Sequence, residues 1–283
     1  SVFMSFCATK CCGLVYTQSI DSVSRSIYDK DDLKKISCPI ILQLRVNSLD
    51  SAKEIIDYFD DVISGYDLSC GCPKGDILGE KKGGYLLTQP NKIGELVKGI
   101  INLTSKPISV KIRRGFDEKR DNFLEVARII ESAGASAIII HPRYVKQGYR
   151  GRADWSCFQK IRKEISIPFI INGDISSSNQ ANDFLKKDLC DGVMFGRKAM
   201  SDPLIFSECL KDFNKLKLAH TNLSEKVLGA SKVKFLCEEF LSHQNIDKLS
   251  ISQIIDHLCW FVKELPKAKE IRENIELKKI LKN

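Results

Sequence analysis

No apolar run in this chain approaches the eighteen or so residues that a membrane span needs, so no membrane association is expected. Nothing at its start resembles a secretory signal, which sets the expectation of a cytoplasmic protein. Glycine-rich phosphate loops are missing too. Neither G-x-G-x-x-G nor G-x-x-x-x-G-K-[ST] occurs, which disfavours a Rossmann dinucleotide fold and a P-loop enzyme. The four histidines are scattered without ligand-spaced partners, so no metal enzyme is expected. Eleven cysteines would suggest a disulfide framework only in a small secreted chain. At 283 residues the better reading is free thiols in a reducing compartment. Cys7, Cys11 and Cys12 cluster without a matching distant pair, which argues against structural zinc.

The composition is that of a globular protein, 43% hydrophobic and 28% charged, long enough for one large α/β domain and a smaller unit. A net charge of +8 permits a polyanionic partner without requiring one. Short β-rich runs at 14–19, 39–46, 66–70, 108–113, 137–141, 168–172 and 192–195 alternate with amphipathic stretches such as 51–59, 91–103, 122–132 and 155–164. That alternation predicts a parallel α/β fold of the TIM (β/α)8 type. Seven strands are one short of eight, and the chain opens into a predicted helix at Ser1-Val2-Phe3, so a first strand is expected to precede residue 1. Beyond residue 206 only helices are predicted, at 225–241, 252–264 and 267–282. Phe235, Phe240, Ile254, Leu258 and Phe261 supply their apolar face, and lysines dominate outside. The division is therefore a barrel over residues 1–206 and a helical domain over 207–283.

Chemistry concentrates where strands end, the position of active sites in parallel barrels. Ile138-Ile139-Ile140 read as a buried strand, and His141, Arg143, Tyr144, Lys146, Tyr149, Arg150 and Arg152 follow at once. Such a cationic, aromatic loop suits a large anionic partner better than a small neutral metabolite. Cys72, in Ser69-Cys70-Gly71-Cys72-Pro73, lies just past a strand tip, where a thiol can be nucleophile, metal ligand or proton donor, or a small buried hydrophobe. Lys111 and Arg113 alternate onto one face of their strand, and a charge there calls for a partner or ligand. Gln43 raises the same question as a buried amide. Asn172-Gly173-Asp174-Ile175 and Phe195-Gly196-Arg197 follow consecutive strands, as in barrel phosphate sites. Together they imply a phosphorylated ligand such as FMN.

The ordered set Gly71-Cys72-Pro73, Lys111-Ile112-Arg113, His141-Pro142-Arg143, Tyr149 to Trp155, Asn172-Gly173-Asp174-Ile175 and Phe195-Gly196-Arg197 resembles the tRNA-dihydrouridine synthases. The likeness runs from about residue 14 to 206 and resumes weakly over Trp260-Phe261-Val262-Lys263-Glu264-Leu265-Pro266-Lys267-Ala268-Lys269-Glu270-Ile271-Arg272, which resembles the end of the family's helical tRNA-binding domain. The resemblance implies an FMN enzyme reduced by NADPH that acts, as a monomer, on uridines of tRNA. Gln43, Lys111 and His141 would contact the flavin ring, and Asn172, Gly173, Asp174, Gly196 and Arg197 would hold its phosphate. Hydride would reach carbon 6 of the uracil while Cys72 protonates carbon 5. The base must leave the RNA stack, and Arg143, Tyr149, Arg150 and Arg152 would form the rim that receives it. Two departures stand out. The family's asparagine three residues before the cysteine is Ser69 here, and its opening Ala-Pro-Met strand has no counterpart in this sequence, which predicts weakened flavin binding. A barrel flavoprotein reducing a free pyrimidine is an alternative that leaves the helical domain and arginine-rich rim without a purpose. A tRNA-binding protein without catalysis is the alternative from another class.

Overall fold

The computed structural model describes residues 2–211, 230–243, 250–261, 263 and 269. They form two compact units, one of Gly13–Phe195 and one of Val2–Cys12 with Gly196–Asn283.

The first unit is an α/β barrel segment of the TIM type. Its strands are β1 (Val15–Tyr16), β2 (Ile40–Leu44), β3 (Gly65–Cys70), β4 (Ile108–Gly115), β5 (Ala137–Tyr144), β6 (Phe169–Asn172) and β7 (Gly192–Met194). They lie side by side in chain order, and every neighbouring pair is parallel. β2, β3 and β5 are buried along nearly their whole length, as strands covered on both faces are. The crossover helices begin where their sequences supply caps. Ser48 accepts the backbone N–H of Ser51 ahead of the helix Leu49–Phe59, Ser177 accepts that of Gln180 ahead of Ser178–Lys186, and Pro90 opens the helix Pro90–Ile101.

Both β4 and β5 run further than their apolar cores. β4 continues through Arg113 and Arg114 to Gly115, and β5 carries His141, Pro142, Arg143 and Tyr144 inside the strand. Their register shifts between Arg113 and Gly115, a bulge beyond which Gly115 pairs with Tyr144. Gly115 is forced there, because a Cβ would fall within 1.9 Å of the Arg120 carbonyl oxygen. The polar segment after Ile140 is therefore held by backbone pairing instead of hanging as a free loop.

The second unit packs the helices Val2–Ala8, Ala230–Leu241 and Ile251–Phe261 around Val2, Phe6, Leu204, Leu236, Phe240 and Phe261. The Phe6 and Phe261 rings lie 5.4 and 5.6 Å from that of Phe240, in edge-to-face arrangements. Phe235 and Leu258 pack against this core, and Ile254 is half-buried. The predicted helix over 267–282 lies outside the described residues except for Lys269. No helix among those described is long and apolar enough to cross a membrane.

Candidate active site

Three neighbouring strands place polar side chains at one level of the barrel interior. The register pairs Gln43 with Asp67 and Asp67 with Ser109, so all three side chains share the inner face. Asp67 is fully buried. Gln43 Nε2 donates to its Oδ2 at 2.8 Å, and Ser109 Oγ donates to its Oδ1 at 2.8 Å. Burial raises the Asp67 pKa to about 6, against the lowering effect of those two hydrogen bonds and of the Lys111 charge. Lys111 sits two residues further along β4, level with Ser69, and keeps partial exposure. Its pKa is lowered to about 8 by burial, with the Asp67 carboxylate opposing the shift.

Cys72 follows the tip of β3 and is half-buried. Its turn is fitted against Gly83 and Gly84. The Gly84 N–H donates to the Cys72 carbonyl at 3.0 Å, and a Cβ on Gly83 would fall 2.9 Å from that of Cys72. Gly83 also takes φ +58, where side chains are strained. Arg113 clamps the other side. It is buried, and its guanidinium donates to the carbonyls of Gly71 (2.9 Å), Tyr144 (3.0 Å) and Gly148 (2.7 Å) beneath the Tyr149 ring. One side chain thus ties the cysteine turn to the loop after β5.

His141 is buried at the end of the β5 apolar run, against Gly173. A Cβ at Gly173 would lie 2.6 Å from the His141 ring, and its φ of +106 excludes ordinary side chains. Only 2% of Arg143 is exposed. Its guanidinium grips Asp174 with two hydrogen bonds of 2.9 and 2.6 Å and donates to the Arg150 and Gly151 carbonyls. Asp174 also accepts the Ala153 N–H, and the Trp155 indole donates to the Gly173 carbonyl. Arg143 and Asp174 are therefore engaged with each other and with the backbone of the loop.

The exposed rim consists of Tyr149, at 64% exposure, with Arg150 and Arg152. Beside it opens a cleft of about 350 Å3 lined by Arg114, Tyr144, Gln147, Arg150, Arg152 and Asp154 among others. Arg114 is neutralised within it by Asp121 and Asp154 and stacks on Tyr144. Of the expected phosphate residues, Asn172 bridges β6 to β7 by donating to the Met194 carbonyl at 2.8 Å. Gly196 and Arg197 begin the second unit, both exposed, and a Cβ on Gly196 would meet no atom within 4 Å.

Asp67, Ser109, Gly83, Gly84 and the clamping role of Arg113 are what the sequence reading missed. Asp67 carried a signal, an acidic residue at a position whose alternation points inward; Gln43, 24 residues away, stood out by itself, but nothing local pairs it or Ser109, 42 residues away, with Asp67. The residues present suit a flat ring with a polar edge. Lys111 offers a cation below the strand tips and Gln43 an oriented amide. That pairing fits the polar edge of a flavin ring.

The family model described as dihydrouridine synthase matches residues 5–281. A probable tRNA-dihydrouridine synthase 1 from Synechocystis sp. is 32% identical over 211 residues, covering 74% of this chain and 58% of the relative. A probable tRNA-dihydrouridine synthase from Aquifex aeolicus is 33% identical over 215 residues, covering 74% and 64%. The chain thus spans about six-tenths of the length of these curated relatives. In fold it is similar to the old yellow enzyme homologue from Zymomonas mobilis, with a TM-score of 0.57 at 11% identity over 75% of this chain and 83% of the other. A 2-naphthoyl-CoA reductase complex gives 0.56 at 11% identity, over 75% and 46%.

Proposed function

We propose that this chain, which belongs to the dihydrouridine synthase family, reduces the 5,6 double bond of uridines in tRNA as an FMN enzyme. The observation that carries the reading is the arrangement of Lys111 and the Gln43–Asp67–Ser109 layer inside the barrel, with Cys72 past the tip of the strand that bears Asp67. FMN held there and reduced by NADPH would supply the hydride for carbon 6 of the uracil. Lys111, Gln43 and His141 hold the ring. Asn172, Gly173, Asp174, Gly196 and Arg197 serve its phosphate, Asp174 through the loop it shares with Arg143. Cys72 donates its Sγ proton to carbon 5 and regains one from solvent, so hydride and proton together saturate the double bond.

The remaining residues present the base. A uridine within RNA is reached only when it leaves the stack, and an aromatic, cationic rim receives it. Tyr149, Arg150 and Arg152 are exposed at that rim, while Arg143 and Arg113 shape the loop that bears them from beneath. The helical domain adds contact with the body of the tRNA. The test is product formation by purified protein with FMN and NADPH on unmodified tRNA and on free uridine. Dihydrouridine in tRNA alone supports the reading; turnover of free uridine with equal efficiency replaces it with a small-substrate flavoprotein.

A further inference from the structure

We propose that Asp67 is a positioning residue that fixes the amide of Gln43 with its oxygen turned to the cofactor, so that the site selects a ring bearing an N–H. The inference rests on the flavin reading above and extends it to a residue that touches neither cofactor nor substrate. An ionised carboxylate only accepts hydrogen bonds. Both Asp67 oxygens are committed, Oδ1 to Ser109 and Oδ2 to Gln43 Nε2, each at 2.8 Å. Turning the Gln43 amide over would set two acceptor oxygens against each other where Asp67 has no water to screen them. One orientation therefore survives, and the end of Gln43 that Asp67 leaves free is Oε1.

The same layer explains why that orientation is useful. Lys111, two residues beyond Ser109 on the same face of β4, can only donate. Gln43 would duplicate that role if its NH2 pointed to the ligand. With its oxygen outward it supplies the complementary acceptor. Oxidised flavin carries one ring N–H between two carbonyls, a pattern that one donor and one acceptor read together. Asp67 thus acts through Gln43, and its effect is a preference between ligands.

The experiment compares FMN with its N3-methyl analogue, which lacks that N–H, by titrating cofactor-free protein and following flavin fluorescence. Wild type is expected to bind FMN at least tenfold tighter than the analogue. In Asp67→Asn, whose side chain both donates and accepts, Gln43 can turn and the preference should fall to about twofold or less. A measurement on wild type alone keeps the test independent of whether that variant folds. Below pH 6, where Asp67 takes up its proton, the carboxyl can itself donate to Gln43, and the preference should shrink. The flavin phosphate titrates alike in both ligands, and the ratio cancels it. Among the described residues Tyr16 of β1, Lys111 of β4 and Cys70 of β3 are the other ionisable groups coupled to Asp67, and burial pushes the Cys70 thiol well up. Burial raises Tyr16 to about 12, and Lys111 titrates near 8, so none of the three changes in that window. An undiminished preference in Asp67→Asn, or a wild-type preference that is absent or unchanged by acid, overturns the inference while leaving the flavin reading intact. Wild-type protein that binds no FMN overturns both.

Discussion

One carboxylate and one ammonium at the floor of the barrel are ionised at neutral pH against the cost of their burial. Asp67, raised from 3.8 to about 6, and Lys111, lowered from 10.5 to about 8, each oppose folding at pH 7 by on the order of 3 kcal/mol. Between pH 4 and 6 the folded state holds a proton on Asp67 that the unfolded chain has lost, so this contribution to stability falls as pH rises. Between pH 8 and 10.5 the unfolded chain holds the Lys111 proton, so stability recovers. Urea midpoints of wild type and Asp67→Asn should therefore diverge in favour of the variant from pH 4 to 6 and run parallel just above; a gap that does not change with pH contradicts the assignment. At Cys72 the prediction concerns chemistry. Cys72→Ala should keep flavin and tRNA binding and lose on the order of a hundredfold or more in product formation, measured as dihydrouridine per tRNA under single turnover. Gly173→Ala meets both a positive φ and the His141 ring, and should lose about 1–3 kcal/mol of stability in thermal or urea unfolding.

At the level of elements, the extension of β5 matters most. The apolar run Ile138-Ile139-Ile140 made the strand legible, and its last residue marked where chemistry starts. What the sequence could not display is that Pro142, Arg143 and Tyr144 remain in the strand, because their pairing depends on Gly115 across the bulge in β4. Arg143 reads locally as one of several rim arginines. Its burial follows from a carboxylate 31 residues on, in the turn after β6. The seven strands were legible because each is apolar in itself, whereas Asp67, Arg113 and Arg143 find their partners only once strands are adjacent. Arg143→Ala breaks a buried ion pair and releases the loop backbone, at a cost of about 3–5 kcal/mol. Limited trypsin digestion should then cut after Arg150 or Arg152 much faster than in wild type. Equal cleavage rates would mean that the loop holds without the clasp.

Across the whole molecule the helical part was legible as a class and less so in membership. Phe240 and Phe261 stood out as an apolar face and are buried in the core of the second unit. Val2–Cys12 belongs to that unit as well, with Ser5 Oγ and His243 Nε2 3.4 Å apart across 238 residues of sequence. No local pattern announces a pairing at such separation. Phe240→Ala should remove about 3–5 kcal/mol from the second unit, read by calorimetry.

The most direct measurement is the count of dihydrouridines formed in unmodified tRNA by purified protein supplied with FMN and NADPH, with Cys72→Ala alongside. The account predicts product with wild type, dependent on FMN, and little or none with the variant although it retains flavin. Full activity in Cys72→Ala would remove the thiol from the mechanism, and no product from flavin-loaded wild type would contradict the proposed reaction itself.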